Sequence, residues 1–145
     1  MDKAIELARE AGLRGEVPVG AVLSDAAGRI VAVAANQVEA ARDAGAHAEI
    51  LVLRAGSGAL GTKFLADCTL TVTLEPCAMC AGAIAAYRVK KLIFGAYDPK
   101  SGAVDHGPRL FAQATTHHRP EIVGGVRDAE CGQLLKSFFA GLRDA

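Results

Sequence analysis

The sequence lacks net charge, because sixteen lysines and arginines are cancelled by sixteen aspartates and glutamates. A chain with no global field cannot draw in nucleic acid by overall charge, so any such partner has to be held by a local patch. Also missing are an apolar run long enough to span a bilayer and a charged-then-apolar leader at Met1-Asp2-Lys3, which argues against a membrane partner and predicts a cytoplasmic protein. Cysteine is scarce, with four residues at positions 68, 77, 80 and 131. In a reducing cytoplasm a disulfide framework is not expected, and the C-x-x-C pair reads instead as metal-binding. Low-complexity segments, internal repeats and dividing linkers are absent. At 145 residues, 51% of them hydrophobic, the chain reads as a single domain, 1–145, with enough apolar material for a core.

Apolar periodicity gives the elements. Ala4, Leu7, Ala8 and Ala11 recur at helical spacing, which predicts a helix over 2–13. The runs 19–23 and 30–35 flank the turn Asp25-Ala26-Ala27-Gly28 and predict a β-hairpin ended by Asn36. A polar loop is expected over 37–46. A helix opened by His47 should run toward Gly56, with Gly56-Ser57-Gly58 and Gly61 as a connection. The Thr- and Val-rich stretch 68–74 predicts a strand stopped by Glu75-Pro76. A helix follows over 77–87, then a short buried strand over 90–95. Residues 97–120 read as irregular apart from a short helix near 109–113, and Ile122-Val123 as an edge strand. Cys131, Leu134, Leu135, Phe138, Phe139 and Leu142 form one apolar stripe on a final helix. Strands alternating with helices predict an α/β layered fold with the sheet in the middle.

Chemistry concentrates in His47-Ala48-Glu49 and Pro76-Cys77-Ala78-Met79-Cys80. His47, Cys77 and Cys80 make a one-nitrogen, two-sulfur ligand set. Tetrahedral zinc takes four ligands, and with no fourth protein partner nearby the site reads as open and catalytic rather than structural. The spacing of Cys77 and Cys80 puts both sulfurs on one helical face. In a first turn, with Pro76 suited to that position, the helix N-terminus favours their thiolates. Two helix N-termini are therefore expected to point into one cleft. Glu49, two residues from His47, is placed to carry protons rather than to bind metal. A structural zinc clip or a set of unrelated residues is the plainer alternative.

The pattern H-x-E…P-C-x-x-C is the signature of zinc nucleobase and nucleoside deaminases. The likeness extends through Glu16-Val17-Pro18-Val19-Gly20-Ala21-Val22, Asn36, Ala46-His47-Ala48-Glu49-Ile50, the stretch from Val72 to Ala83, Phe94-Gly95-Ala96 with Asp98, Lys100, Gly102 and Ala103, and the Phe138-Phe139 helix. Over most of 4–142 the chain resembles the bacterial tRNA-specific adenosine deaminases of the zinc-dependent cytidine/deoxycytidylate deaminase superfamily. That resemblance implies a three-layer α/β/α cytidine-deaminase-like fold with a central mixed sheet, a homodimer and one Zn2+ per chain. It implies a tRNA anticodon stem-loop as partner and conversion of adenosine to inosine at the wobble position. By the same resemblance His47, Cys77 and Cys80 are the zinc ligands, Glu49 the proton shuttle and Asn36 a pocket residue touching the nucleoside. Without the resemblance, Asn36 reads as a turn residue.

Two stretches depart from the family pattern, Asp105-His106 in place of Gly-Ser and His117-His118-Arg119 in place of Asn-His-Arg. The three loop histidines, 106, 117 and 118, read as exposed or RNA-facing, while Cys68 and Cys131 read as packed free cysteines. Arg88, Lys90, Lys91 and Arg119 are candidate phosphate contacts, with a solvated edge as the default for the first three. A deaminase of a free base or nucleoside shares the zinc chemistry. A non-catalytic zinc-stabilised module would have no use for Glu49.

Overall fold

The computed structural model describes residues 1–144. Helix α1 (Asp2–Leu13) leads into strands β1 (Gly20–Ser24) and β2 (Ile30–Ala35), the short α2 (Val38–Ala41) and α3 (Ala48–Leu60). Strand β3 (Thr69–Leu74), α4 (Ala78–Ala86) and β4 (Lys91–Ala96) follow, then a 3-10 turn at Leu110–Ala112, β5 (Glu121–Val123) and α5 (Asp128–Asp144). The sheet order is β2-β1-β3-β4-β5. The hairpin pairs antiparallel with itself and with β3, while β3-β4 and β4-β5 are parallel, so the sheet is mixed.

Helices cover both faces. On one side α3 and α4 pack on the hairpin and the central strands, where Leu23, Val52, Leu53, Leu70, Val72 and Phe94 are all excluded from solvent. On the other side α1 and α5 pack on β1, β3 and β4, with Ile5, Ala96 and Cys131 at the contact. Ala4, Ala8 and Ala11 are fully buried, and their small side chains let α1 lie close to the sheet. The three-layer α/β/α arrangement and the mixed sheet agree with expectation. Cys68 and Cys131 are both buried and free, as anticipated.

Three elements differ from the sequence reading. Helix α3 runs through Gly56-Ser57-Gly58, which had read as a connection. A Cβ at position 56 would lie 2.1 Å from Leu23 Cδ2, so this glycine serves close packing on β1 and does not break the helix. The helix ends at Gly61, whose φ of 66° is the left-handed cap that glycine adopts without strain. Second, the polar loop 37–46 contains α2, held from outside by a buried carboxylate. Glu16 accepts the amides of Glu39 at 3.0 Å and Ala40 at 2.8 Å, near the start of that helical turn. Third, the stripe on α5 is buried only at Cys131, while Phe139 and Leu142 are exposed.

Candidate functional site

His47 is the N-cap of α3, and Cys77 is the N-cap of α4. Both have extended backbones, φ −72° with ψ 147° and 175° respectively, which turn their side chains out of the helices they start. Cys80 lies in the first turn of α4 and is buried. Pro76 stands one position before the cap, outside the first turn that had been expected for it. Its carbonyl accepts the amide of Ala103 at 2.8 Å. Two helix N-termini therefore meet at one place, just beyond the carboxyl end of β3.

The donors of His47, Cys77 and Cys80 all lie within 4.8 Å of one another. Zinc bond lengths of about 2.3 Å to sulfur and about 2.0 Å to nitrogen, at tetrahedral angles, require an N···S separation of about 3.5 Å. His47 Nδ1 lies 3.6 Å from Cys77 Sγ and 3.4 Å from Cys80 Sγ, so the set fits one zinc ion. Among the described residues no further His, Cys, Asp or Glu joins the group, which leaves room for a non-protein ligand.

The electrostatics suit a divalent cation. Cys77 is pushed down to about 5, chiefly by its hydrogen bond with Cys80, and the same contact pushes Cys80 up. The two thiols thus share a single proton near neutral pH, which a cation can displace. Glu49 is buried one residue into α3 and outside the ligand group. Burial pushes its carboxyl up to about 7.

Asn36 is held at both ends of its amide. Its Oδ1 accepts the amide of Ala48 at 2.8 Å, and its Nδ2 donates to the carbonyl of Val17 at 3.2 Å. It borders the cleft and also ties the hairpin to the start of α3, where His47 and Glu49 sit. The cleft itself holds about 610 Å3, within the range of small-molecule sites. Asn36, His47, Glu49 and Cys77 line it from within, with Phe138, Phe139 and Leu142 of α5 across from them. A neighbouring hollow shares Asp98, Ser101, Phe139 and Leu142 and adds Lys100, Lys136 and Arg143.

The four basic residues singled out from the sequence line neither cavity. Lys91 pairs with Thr69 at the start of β3, so Lys90 and Lys91 sit at the far end of the sheet from the metal ligands that follow Leu74. At about 3.3 Å per residue, that separation is roughly 17 Å along the strand. Arg88 lies over the ring of Phe64 at 5.2 Å. Arg119 is occupied in its own loop, donating to the carbonyls of Phe111 and Gln113. His118 donates from Nε2 to the carbonyl of Val89, and only His117 among the loop histidines is exposed.

His106 is the clearest correction. Its Nδ1 lies 2.8 Å from the buried carboxylate of Glu75, a residue that sequence reasoning passed over. Burial opposes the charge on Glu75, but hydrogen bonds from the amide of Asp98, the His106 ring and further amides hold its carboxyl below the usual value. The available signal was a carboxylate just past a strand whose run from Leu70 to Thr73 is buried. Phe138 and Phe139 had been assigned to the α5 stripe but not to the cleft, and Lys100, Lys136 and Arg143 required the tertiary structure to be found.

The model of the cytidine and deoxycytidylate deaminase zinc-binding region matches residues 1–96. A tRNA-specific adenosine deaminase of Agrobacterium fabrum is 47% identical over 139 residues, covering 96% of this chain and 91% of its own. One from Bacillus subtilis is 47% identical over 143 residues, 99% of this chain and 88% of its own. A solved structure from a study of A-to-I editing by tRNA:A34 deaminases at the wobble position of transfer RNA superposes with a TM-score of 0.91 at 47% identity. It covers 93% of this chain and 97% of that one.

Proposed function

The chain belongs to the tRNA-specific adenosine deaminases of the zinc-binding cytidine and deoxycytidylate deaminase family, and on that premise we propose that it hydrolyses adenosine to inosine at the wobble position of tRNA. The observation that carries this reading is the buried Glu49 carboxylate beside a three-donor zinc site, at one end of a nucleoside-sized cleft. Zinc held by His47, Cys77 and Cys80 supplies the Lewis acid that makes water a competent nucleophile near neutral pH.

Glu49 takes the proton of the attacking water, passes it to a ring nitrogen of the base, and then helps to protonate the leaving amine. Ammonia departs and a carbonyl oxygen remains on the ring. Burial raises the proton affinity of Glu49, so that accepting and returning a proton are both accessible near neutral pH. Asn36 positions the nucleoside with its remaining amide hydrogen while bracing Ala48 between His47 and Glu49.

The RNA is an anticodon stem-loop, whose unpaired wobble base can be splayed into the cleft without opening a helix. Phe139 and Leu142 offer apolar surface to flanking bases, and Lys100, Lys136 and Arg143 offer charge to nearby phosphates. Arg88, Lys90 and Lys91 can reach only more distant parts of the hairpin, and Arg119 serves by holding its loop. The working form is a homodimer in a reducing cytoplasm. No helix among the described residues is long and apolar enough to cross a membrane.

Ammonia release from a tRNA anticodon hairpin, set against release from free adenosine, guanine and cytosine, tests the reading. Turnover on the adenosine-containing hairpin supports it. Rapid deamination of a free base with no activity on any such hairpin overturns the substrate while keeping the reaction. Full activity from a monomer at micromolar concentration by light scattering removes the dimer.

A further inference from the structure

Between β4 and the 3-10 turn, residues 98–106 wall one side of the cleft through Asp98 and Ser101, yet they form neither helix nor strand beyond a single bridge between Cys77 and Gly102. Asp98 Oδ1 closes the turn at the near end by accepting the amides of Lys100 and Ser101, each at 3.1 Å, and one side chain beneath the segment binds both of its ends. Glu75 Oε1 accepts the amide of Asp98 at 3.0 Å, and Oε2 accepts the amides of Val104, Asp105 and His106 at 3.1, 3.0 and 3.2 Å. The carboxylate is thus wrapped by the backbone at both ends of the segment. A Cβ on Gly102 would stand 2.5 Å from Glu75 Oε2 and 2.4 Å from the Asp98 carbonyl, so the chain passes directly over the carboxylate with no space for a side chain.

Among the described residues, the ring of His106 is the only side chain that donates to Glu75. Its Nδ1 reaches Oε1 at 2.8 Å, the same oxygen that holds Asp98. Glu75's side chain is fully buried, whereas that of His106 is one-third exposed, at 33%. The imidazole also packs edge-on against Tyr97 at 6.1 Å, and Tyr97 against Phe94 of β4 at 5.2 Å. The far end of the wall is thereby tied to its near end, and both are tied to the sheet.

We propose that Glu75 and His106 are positioning residues that clamp the Asp98–Ser101 wall of the cleft and so set how tightly the reacting nucleotide is held. The proposal rests on the reading of this cleft as the nucleotide site. His106 neither ligates metal nor reaches Glu49, so the clamp acts on substrate binding and leaves the chemical step alone.

The test uses zinc-loaded, full-length protein carrying His106→Ala or His106→Asn, with steady-state kinetics on the anticodon hairpin, zinc content and melting temperature measured in parallel. In the asparagine variant, the side-chain amide nitrogen can stand near the place of Nδ1. His106→Ala should raise KM about 5- to 10-fold, with kcat within about two-fold and one zinc retained per chain. His106→Asn should restore KM to within about two-fold of the parent. An unchanged KM in His106→Ala overturns the clamp, as does a rise that asparagine fails to rescue. A fall in kcat accompanied by zinc loss also overturns it, because the segment would then be bracing Cys77 instead. Glu75→Gln should exceed the alanine effect, but the His106 pair decides the matter even where that buried variant does not fold. Should the parent protein act on a free base and not on the hairpin, the substrate reading fails, and the same KM comparison on the free base still decides the clamp.

Discussion

Replacing Asn36 with alanine should damage stability and activity together, by an amount the geometry fixes. The substitution strands the amide of Ala48, which now donates at 2.8 Å to Oδ1, and removes the donor to the Val17 carbonyl at 3.2 Å. Asn36 is 8% exposed, so water recovers these groups only in part. An unpartnered buried amide costs about 1–3 kcal/mol, which puts the loss at about 2 kcal/mol once partial access from the cleft is allowed for. Unfolding entropy of about 2.1 cal/mol/K per residue amounts to about 0.3 kcal/mol/K for this chain, so the melting temperature should fall by about 7 °C.

Because Ala48 stands between His47 and Glu49, kcat/KM on the hairpin should fall at least about tenfold as well. Asn36→Asp keeps the acceptor for Ala48 and loses the donor to Val17, so it should melt between the alanine variant and the parent. Calorimetry of zinc-saturated protein at fixed zinc, followed by kinetics on the same samples, reads both effects. A shift of less than about 2 °C in Asn36→Ala would refute the bracing role. A full thermal loss with kcat/KM intact would refute any role at the substrate.

Glu49→Ala should keep one zinc per chain by metal analysis while turnover falls by about 10²- to 10⁴-fold, and loss of zinc in that variant would mean that Glu49 is a ligand. Zinc retention should depend on pH through the thiols. The depressed Cys77 leaves a thiolate at neutral pH in the metal-free site, where it loses its charge as the pH falls through about 5. Bound zinc competes with protons for that sulfur, so dialysis across an acid series should keep the metal near neutrality and release it only below that pH, and loss of zinc at neutral pH would contradict the assignment. Gly58→Ala should stabilise the protein by about 0.5–1 kcal/mol in thermal unfolding, because position 58 is an exposed site within α3 with nothing in reach of a new Cβ. A destabilisation there would mean that the helix is interrupted at Gly56-Ser57-Gly58 after all.

Residue type and short-range spacing were enough to specify the parts of this protein whose physics is local. Helical and strand periodicity places α1, the hairpin, β3, α4 and β4, because each buries one face or a whole run at a repeat visible within a few residues. The ligand set was legible for the same reason. Cys77 and Cys80 share a helical turn, and a histidine followed two residues later by glutamate has few other uses beside a C-x-x-C. Gly56 misled because the space it leaves for Leu23 belongs to a strand more than thirty residues away, and no local pattern reports such a contact.

Where charge gathers was no more visible from local pattern. Arg88, Lys90 and Lys91 are adjacent in sequence, but the direction of β4 carries them to the end of the sheet opposite the metal site. Lys100, Lys136 and Arg143, scattered along the chain, meet around one hollow. The roles of Glu16, Glu75 and His106 were likewise decided only by the tertiary structure. A buried carboxylate is tolerated because backbone amides from distant segments converge on it, and that convergence exists only once the chain has folded.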